Sequence, residues 1–398
     1  MGTLKFKRFA CLLIGWCAAF LPAGGCGEPF TSELFGESDA GADRVNDDGV
    51  VTPDVEKDQL AEDAKDAGGE VGEDSPTDVV ADVTGDVDAG CGDTTADPKN
   101  CGWCGHDCQG GQCSAGACQP VVLAKNQGGP SGIDLDAKNV YWTNAVTGTV
   151  MRVPKAGGAS VLLANGQQEP YSVAVDAVNV YWTNRNGGTV MKVPISGGAP
   201  VTLASVQSAP HRIALDAASV YWTNYAAIGG IAKIAKSGGS PAELISGQNQ
   251  PRDISVDATS VYWTMGPDGI VDKIPNGGGP QSVLATNQTD AYGIATDNAF
   301  VYWTARGAGK VAKIPKGGGN AVILAIAQID AAYLAVDASG VYWARNTNPN
   351  GSVWRSSLDG AVVESVATGQ PGPLDVAVDA TCVYWTNADG GSVMKLAK

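Results

Sequence analysis

The stretch Tyr171-Ser-Val-Ala-Val-Asp176, Asn179-Val-Tyr-Trp-Thr-Asn184, Gly188-Thr-Val-Met-Lys-Val-Pro194 and Ala199-Pro-Val-Thr-Leu-Ala204 decides the fold. Each run is short, rich in Val, Tyr, Trp or Thr, and bounded by Gly, Asn, Asp or Pro. That is the signature of four strands joined by tight turns, with no helical period. The Tyr-Trp pair recurs at Tyr141, Tyr181, Tyr221, Tyr262, Tyr302, Tyr342 and Tyr384, in steps of 40, 40, 41, 40, 40 and 42 residues. A fixed period of about 40 residues marks a repeat architecture. Four antiparallel strands per repeat make one propeller blade. The fold class is therefore all-β, a seven-bladed β-propeller over residues 119–398.

The two ends of the repeat region explain how such a ring closes. The last repeat stops at its third strand, Val393-Met-Lys-Leu-Ala-Lys398, and lacks a fourth. Val121-Val-Leu-Ala124, ahead of the first repeat, matches the fourth-strand pattern of Val161-Leu-Leu-Ala164 and Val201-Thr-Leu-Ala204. Val121–Ala124 is predicted to complete the last blade, which removes a free edge.

The order of a hydrophobic-Asp strand, a Tyr-Trp-Thr strand, a Lys/Arg strand and an outer Val-Leu strand resembles the YWTD propellers of low-density-lipoprotein-receptor type. The resemblance spans about residues 119–398. The fourth motif residue is Asn144, Asn184, Asn224 and Asn387 in four repeats, and Met265, Ala305 and Arg345 in the others. Those receptor propellers usually have six blades, whereas seven are counted here. An Asp stands five residues before every motif Tyr (Asp136 to Asp379), and a Gln nine before each Asp (Gln127 to Gln370). Seven equal copies around a ring cannot converge on one reacting atom, so both are read as scaffold. The Asp opens a turn by bonding backbone N–H groups; the Gln is expected to bond backbone in the loop entering each blade. Each Trp is expected to pack against an adjacent blade rather than offer a stacking surface for carbohydrate.

The chain begins with a basic stretch holding Lys5, Lys7 and Arg8, followed by a short apolar run from Phe9 to about Ala23. This has the form of a secretory signal, residues 1–25. Ala23-Gly24-Gly25-Cys26 resembles the lipobox of bacterial lipoproteins, which implies lipidation at Cys26, and Gly27 points to the outer membrane. Residues 26–90 form an acidic linker. The first 118 residues carry 23 acidic and 7 basic side chains, which accounts for the whole net charge of −16. Such a segment has too little apolar surface to offset its chain entropy and is expected to be disordered. The repeat region is neutral, with 19 basic and 19 acidic residues. That gives no support for nucleic-acid binding, which needs a clustered basic surface.

Six cysteines, Cys91, Cys101, Cys104, Cys108, Cys113 and Cys118, fall in residues 91–118. With no apolar core among them, crosslinks or a metal must hold the module. Export favours three disulfides over a zinc site built on Cys101, Cys104 and His106. The run resembles small Asn-Cys-Gly-x-Cys-Gly modules ahead of repeat domains in predicted bacterial surface proteins, and it is read as a rigid spacer.

If equal positions are scaffold, function belongs to unequal ones. One aligned position, read as the loop entering each first strand, holds Ser131, Tyr171, His211, Arg252, Tyr292, Ala332 and Leu374. The next holds Gly132, Ser172, Arg212, Asp253, Gly293, Tyr333 and Asp375. The loops after the Tyr-Trp strands add Asn184, Arg185, Tyr225, Asp268, Arg306 and Arg345. Family resemblance brings these loops to one mouth of the central channel, and aromatic and Arg side chains on a rigid rim suit binding. Tyr171, His211, Arg212, Tyr225, Arg252, Asp253, Tyr292, Arg306, Tyr333 and Arg345 are the ligand-binding candidates. No catalytic residue, cofactor or metal is implied. The expected role is a lipid-anchored envelope protein whose propeller binds a protein or a glycan. One rival is a purely structural envelope component. The other rests on resemblance to seven-bladed bacterial lyases that act on cyclic peptides with a His and Mg²⁺. That implies a lyase or hydrolase centred on His211 with Glu169.

Overall fold

The computed structural model describes residues 93–347 and 349–398, all within one compact unit, Ala81–Lys398. Cys26, Cys91, the signal and the whole linker, residues 26–90, lie outside the described residues. The described repeats form seven four-stranded antiparallel sheets. Each runs outward from an inner strand, such as Pro170–Val175, through Asn179–Asn184 and Thr189–Pro194 to Val201–Ala204. Inner strands contact their neighbours around the whole ring, and that of blade 7, Pro373–Val378, meets that of blade 1, Pro130–Leu135. The outermost strand of blade 7 is Val121–Ala124, paired antiparallel with Ser392–Ala397, as the sequence predicts.

The three motif side chains have three separate duties, each ending in a hydrogen bond. The Tyr hydroxyl donates to the turn Asp: Tyr181 Oη to Asp176 Oδ2 at 3.0 Å, with Asp176 Oδ1 accepting the N–H groups of Val178 and Asn179. Blade 6 departs from this, since Tyr342 bonds Ser339 while Asp337 pairs with Lys398. All seven Trp rings are fully buried, at 0% exposure. Each packs on the preceding blade, as Trp182 does on Tyr141, Val150 and Leu163. That burial removes any surface role for the tryptophans.

Each Trp Nε1 donates to Oε1 of the repeated Gln, as Trp182 does to Gln167 at 3.0 Å. The expected Gln-to-backbone bond is present too, from Gln167 Nε2 to Asn165 O at 2.9 Å. This explains the Asn at the fourth motif position. Asn184 Nδ2 donates to the same Gln167 Oε1 at 2.8 Å, and an Asp carboxylate there would have no donor to offer.

The Thr joins neighbouring inner strands. Thr183 Oγ1 accepts the N–H of Ser172 in its own blade at 3.3 Å and donates to His211 O in the next at 2.7 Å. Thr386 makes the same bridge from blade 7 to Ser131 in blade 1, at 2.8 Å. Blade 6 has Ala344 at this position.

The cysteine module is held by Cys101–Cys113 and Cys108–Cys118, and Cys104 is also disulfide-bonded. Zinc binding through these thiolates is thereby closed off. The module packs on blade 7. His106 Nε2 lies 2.9 Å from Lys398 O, and Lys395 Nζ donates to Gln109 O at 2.6 Å.

Candidate functional site

In every blade the inner strand carries an irregularity at the same place. Pro170 pairs with Asn184 and Val173 with Trp182, which leaves Tyr171 and Ser172 together opposite Thr183. Two residues facing one is a β-bulge, which bends the strand and re-aims its side chains. The two aligned positions singled out in the sequence are therefore bulge residues of the inner strands, not loop residues. Seven bulges give the channel two successive layers of unequal side chains.

The first layer is an aromatic cup. Tyr171 stacks on His211 with ring centroids 4.2 Å apart, and His211 stacks on Tyr225 at 5.0 Å. The Arg252 guanidinium lies over the Tyr292 ring at 4.4 Å, and that of Arg306 at 5.2 Å. Arg185 sits over both Tyr171 and Tyr225, at 5.7 and 5.4 Å. Tyr171, Arg185, His211, Tyr225, Arg252 and Tyr292 line a cavity of about 170 Å³.

His211 is 4% exposed. Burial is the main cause that pushes its imidazole down to about 3, with the neighbouring arginines adding to it. The ring is thus neutral at ordinary pH. Its Nδ1 lies 2.9 Å from Arg252 O, a carbonyl that can only accept, so Nδ1 carries the proton. Nε2 is then an acceptor lone pair, and it has no hydrogen-bond partner among the described residues.

Three arginines of the cup region each meet one acid. Arg185 pairs with Glu169 at 3.2 Å, Arg252 with Asp290 at 3.4 Å and Arg306 with Asp330 at 3.2 Å. The acids occupy one aligned position just before the inner strand, at φ of 54°, 54° and 63°. Gln250 stands at the same position with φ of 50° and accepts from Tyr225 Oη at 3.0 Å. Gly266 leaves the room this needs, since a Cβ there would lie 3.0 Å from Asp290 Oδ1 and 3.2 Å from Arg252 Nε.

The second layer closes the channel. Arg212 donates from Nε to Asp253 at 3.0 Å and from Nη1 to Asp375 at 2.8 Å. Its guanidinium also covers the Tyr333 ring at 3.8 Å. Burial opposes the Arg212 charge, but the Asp375 and Asp253 carboxylates outweigh it and hold its pKa well above the ordinary value. Asp253 is itself raised by burial, against the pull of Arg212. Both acids also accept backbone N–H groups of the following blade, Ile294 at 2.8 Å and Ile133 at 3.2 Å. Tyr171 Oη meets Tyr333 Oη at 3.3 Å, joining the two layers.

The structure thus gathers five of the ten candidates, Tyr171, His211, Tyr225, Arg252 and Tyr292, around one cavity. Arg306 stands beside it. Arg212, Asp253 and Tyr333 form its buried floor and are committed to one another. Arg345 stands apart, donating to Ile329 O at 3.2 Å with its guanidinium over Trp354 at 5.6 Å. Asp268 accepts from Asn249 at 2.9 Å. Gln250, Asp290 and Asp330 escaped the sequence reading. The signal that finds them is a polar residue at the aligned position where blades 1 and 7 have Gly129 and Gly372.

The pairing of His211 with Glu169 is not formed: Glu169 turns to Arg185, and His211 bonds the Arg252 carbonyl. Among the described residues, the one group of three His, Cys, Asp or Glu ligands is Cys101, Cys108 and Cys118, all in disulfides.

The fold and channel define a seven-bladed β-propeller with a closed channel floor. Solved structures with a similar overall fold include virginiamycin B lyase from Staphylococcus aureus. It is 14% identical with a TM-score of 0.62, over 70% of this chain and 98% of that one. A catalytically inactive variant of the same lyase with quinupristin is 17% identical at TM-score 0.61, over 70% and 98%. The computationally designed Ika8 protein is 17% identical at TM-score 0.53, over 70% and 98%. At these identities the likeness is one of fold alone. No protein-family model matches the chain, and no curated protein matches it.

Proposed function

We propose that the propeller is a binding module of a lipid-anchored envelope protein, presented by the acidic linker, and that it takes its ligand at the cup. The anchor reading rests on the basic start, the short apolar run and Cys26. The binding reading rests on one observation above all. A ring that repeats its scaffold seven times concentrates its unequal aromatic and guanidinium groups around one cavity with a closed floor. Rigid aromatic and Arg anchors around a pocket are what binding sites use. The partner is an envelope protein or a glycan, and no nucleic acid is expected of a neutral repeat region.

The test is capture from envelope extract on the immobilised full chain, repeated with Arg252→Ala and Tyr292→Ala. Loss of capture by both variants at an unchanged melting temperature supports the reading. Equal capture by wild type and both variants refutes it. Anchoring is read separately: radiolabelled palmitate enters the wild-type chain and not Cys26→Ser. Equal labelling of the two would remove the anchor.

A further inference from the structure

We infer that the cup takes a single uncharged sugar ring, the terminal residue of a neutral glycan, bound end-on. This rests on the binding role proposed above and names the ligand's chemistry.

Size comes first. A cavity of about 170 Å³ is close to the roughly 150 Å³ that holds one benzene ring, which leaves room for no more than one sugar residue, its outer edge at the mouth. The floor decides the direction of approach. Arg212 is held by Asp253 and Asp375 and covered by Tyr333, so a chain cannot thread the channel. Only the end of a ligand enters.

Charge decides between anionic and neutral ligands. Arg185, Arg252 and Arg306 meet Glu169, Asp290 and Asp330 one for one. A site for a carboxylate or phosphate needs unmatched positive charge, because a buried anion without it is costly. The two guanidinium groups that line the cavity, Arg185 and Arg252, are already paired with Glu169 and Asp290, so an entering anion would have to compete with those carboxylates for them. The lining instead offers guanidinium N–H donors and the His211 Nε2 acceptor side by side. A hydroxyl group is itself both donor and acceptor, so neighbouring hydroxyls of a sugar satisfy both without disturbing the charge balance.

His211 adds a specific demand. Its Nε2 has no partner among the described residues and presents a lone pair, with the proton placed on Nδ1 by the contact to Arg252 O at 2.9 Å. The ligand must bring a donor to that atom. A hydroxyl does so; a carboxylate or phosphate oxygen does not. The Tyr171 and Tyr225 rings flank the same imidazole and carry Arg185 over them, so the surface the cavity presents is mostly polar and suits the hydroxyl edge of a sugar.

The test uses the full chain carrying Cys26→Ser, which keeps it free of lipid. It is titrated with the methyl glycosides of glucose, galactose and mannose, with glucuronic and galacturonic acids, and with N-acetyl amino acids. The expected result is binding of at least one neutral glycoside, at least tenfold weaker for every acid. Its affinity should be unchanged between 50 and 300 mM salt, since a neutral ligand has no charge for salt to screen. Arg185→Ala and Arg306→Ala, at partly exposed positions, should each weaken it about tenfold at an unchanged melting temperature. Tight binding of an acid, falling with salt, overturns the neutral-glycan inference and leaves the cup as a binding site. Silence of all probes, with capture from envelope extract still lost in Arg252→Ala, also overturns it and leaves a protein as the ligand. Silence together with unaffected capture overturns both readings.

Discussion

At the first bulge position, blades 7 and 1 carry Leu374 and Ser131, preceded by Gly372 and Gly129. Blades 2 to 5 carry Tyr171, His211, Arg252 and Tyr292 at that position, and three of the four preceding residues are Glu169, Gln250 and Asp290. The backbone is the same on both sides, left-handed before the strand, with φ between 50° and 67°. Glycine adopts that conformation freely, whereas a residue with a Cβ is disfavoured there by about 1–2 kcal/mol. Blades 1 and 7 take the favourable option. Blades 2, 4, 5 and 6 keep a polar side chain in the left-handed conformation, and each of those side chains engages an Arg or Tyr at the mouth. Repetition builds the ring, and departures from it on one side of the channel build the cup.

The largest expected effect lies in the repeated part. Deleting residues 119–125 removes the closing strand and should lower the melting temperature by more than 10 °C, seen by calorimetry. Trp222→Ala should cost about 3–5 kcal/mol in denaturant unfolding, as other buried aromatic truncations do. An unchanged curve for either would break the account of ring closure.

The next effect is acid sensitivity, and it belongs to the cup. His211 titrates near 3 in the fold against an ordinary 6.5, because burial opposes its charge. Its folded pKa is depressed, so the folded state binds fewer protons. The contribution to stability is fully present above pH 6.5 and is lost as pH falls toward 3. At 1.36 kcal/mol per unit the full loss is of order 5 kcal/mol. His211→Gln should flatten that dependence; parallel stability-versus-pH curves for the two proteins would contradict it.

A third departure from the repeat is not at the mouth, and it separates variation from function. Asp272 faces Trp263 across the strands at the position that holds Met151, Met191 and Met394 in other blades. It is fully buried, its Oδ1 has no partner, and burial raises it to about 6. A raised carboxyl is best accommodated below its ordinary pKa of about 4, and that advantage is lost as pH rises toward 6. Asp272→Met should therefore stabilise the protein at pH 7 by roughly 2–3 kcal/mol, with the gain much smaller at pH 4. A destabilised variant at pH 7 would show that the hydrogen bond from Gln281 Nε2 to Asp272 Oδ2 outweighs the burial of the carboxylate.

Much of this was legible in the sequence. Seven Tyr-Trp pairs, the missing last strand and Val121–Ala124 gave the ring and its closure, because strand pattern and period are local properties. The two unequal positions were legible as well. Their bulge was not, since it is seen only when Thr183 is placed opposite both Tyr171 and Ser172. Nor was the floor. Arg212 and Asp375 are 163 residues apart, and no spacing rule says which blades face each other across a channel. By sequence alone Arg212, Asp253 and Tyr333 rank beside Tyr225 as equals, whereas one layer of depth makes them support rather than surface. Arg345 stands apart from the cup for a related reason: its guanidinium lies over Trp354, which is peculiar to blade 6.

The smallest stability effect is the most pointed. Asp330→Gly relieves the left-handed backbone and removes a partly exposed ion pair worth about 0–1 kcal/mol. Its stability should stay within about 1 kcal/mol of wild type while binding at the cup weakens. A large loss of stability would make Asp330 scaffold after all.

The most direct measurement sets the two sides of the mouth against each other. Binding of envelope ligand to the immobilised full chain is compared for Tyr225→Ala and Arg185→Ala on one side, and for Ser131→Ala and Leu374→Ala on the other. The cup account predicts at least a tenfold loss for the first two, with melting temperatures unchanged, and none for the second two. Equal losses on both sides, or a loss confined to Ser131→Ala and Leu374→Ala, would contradict it.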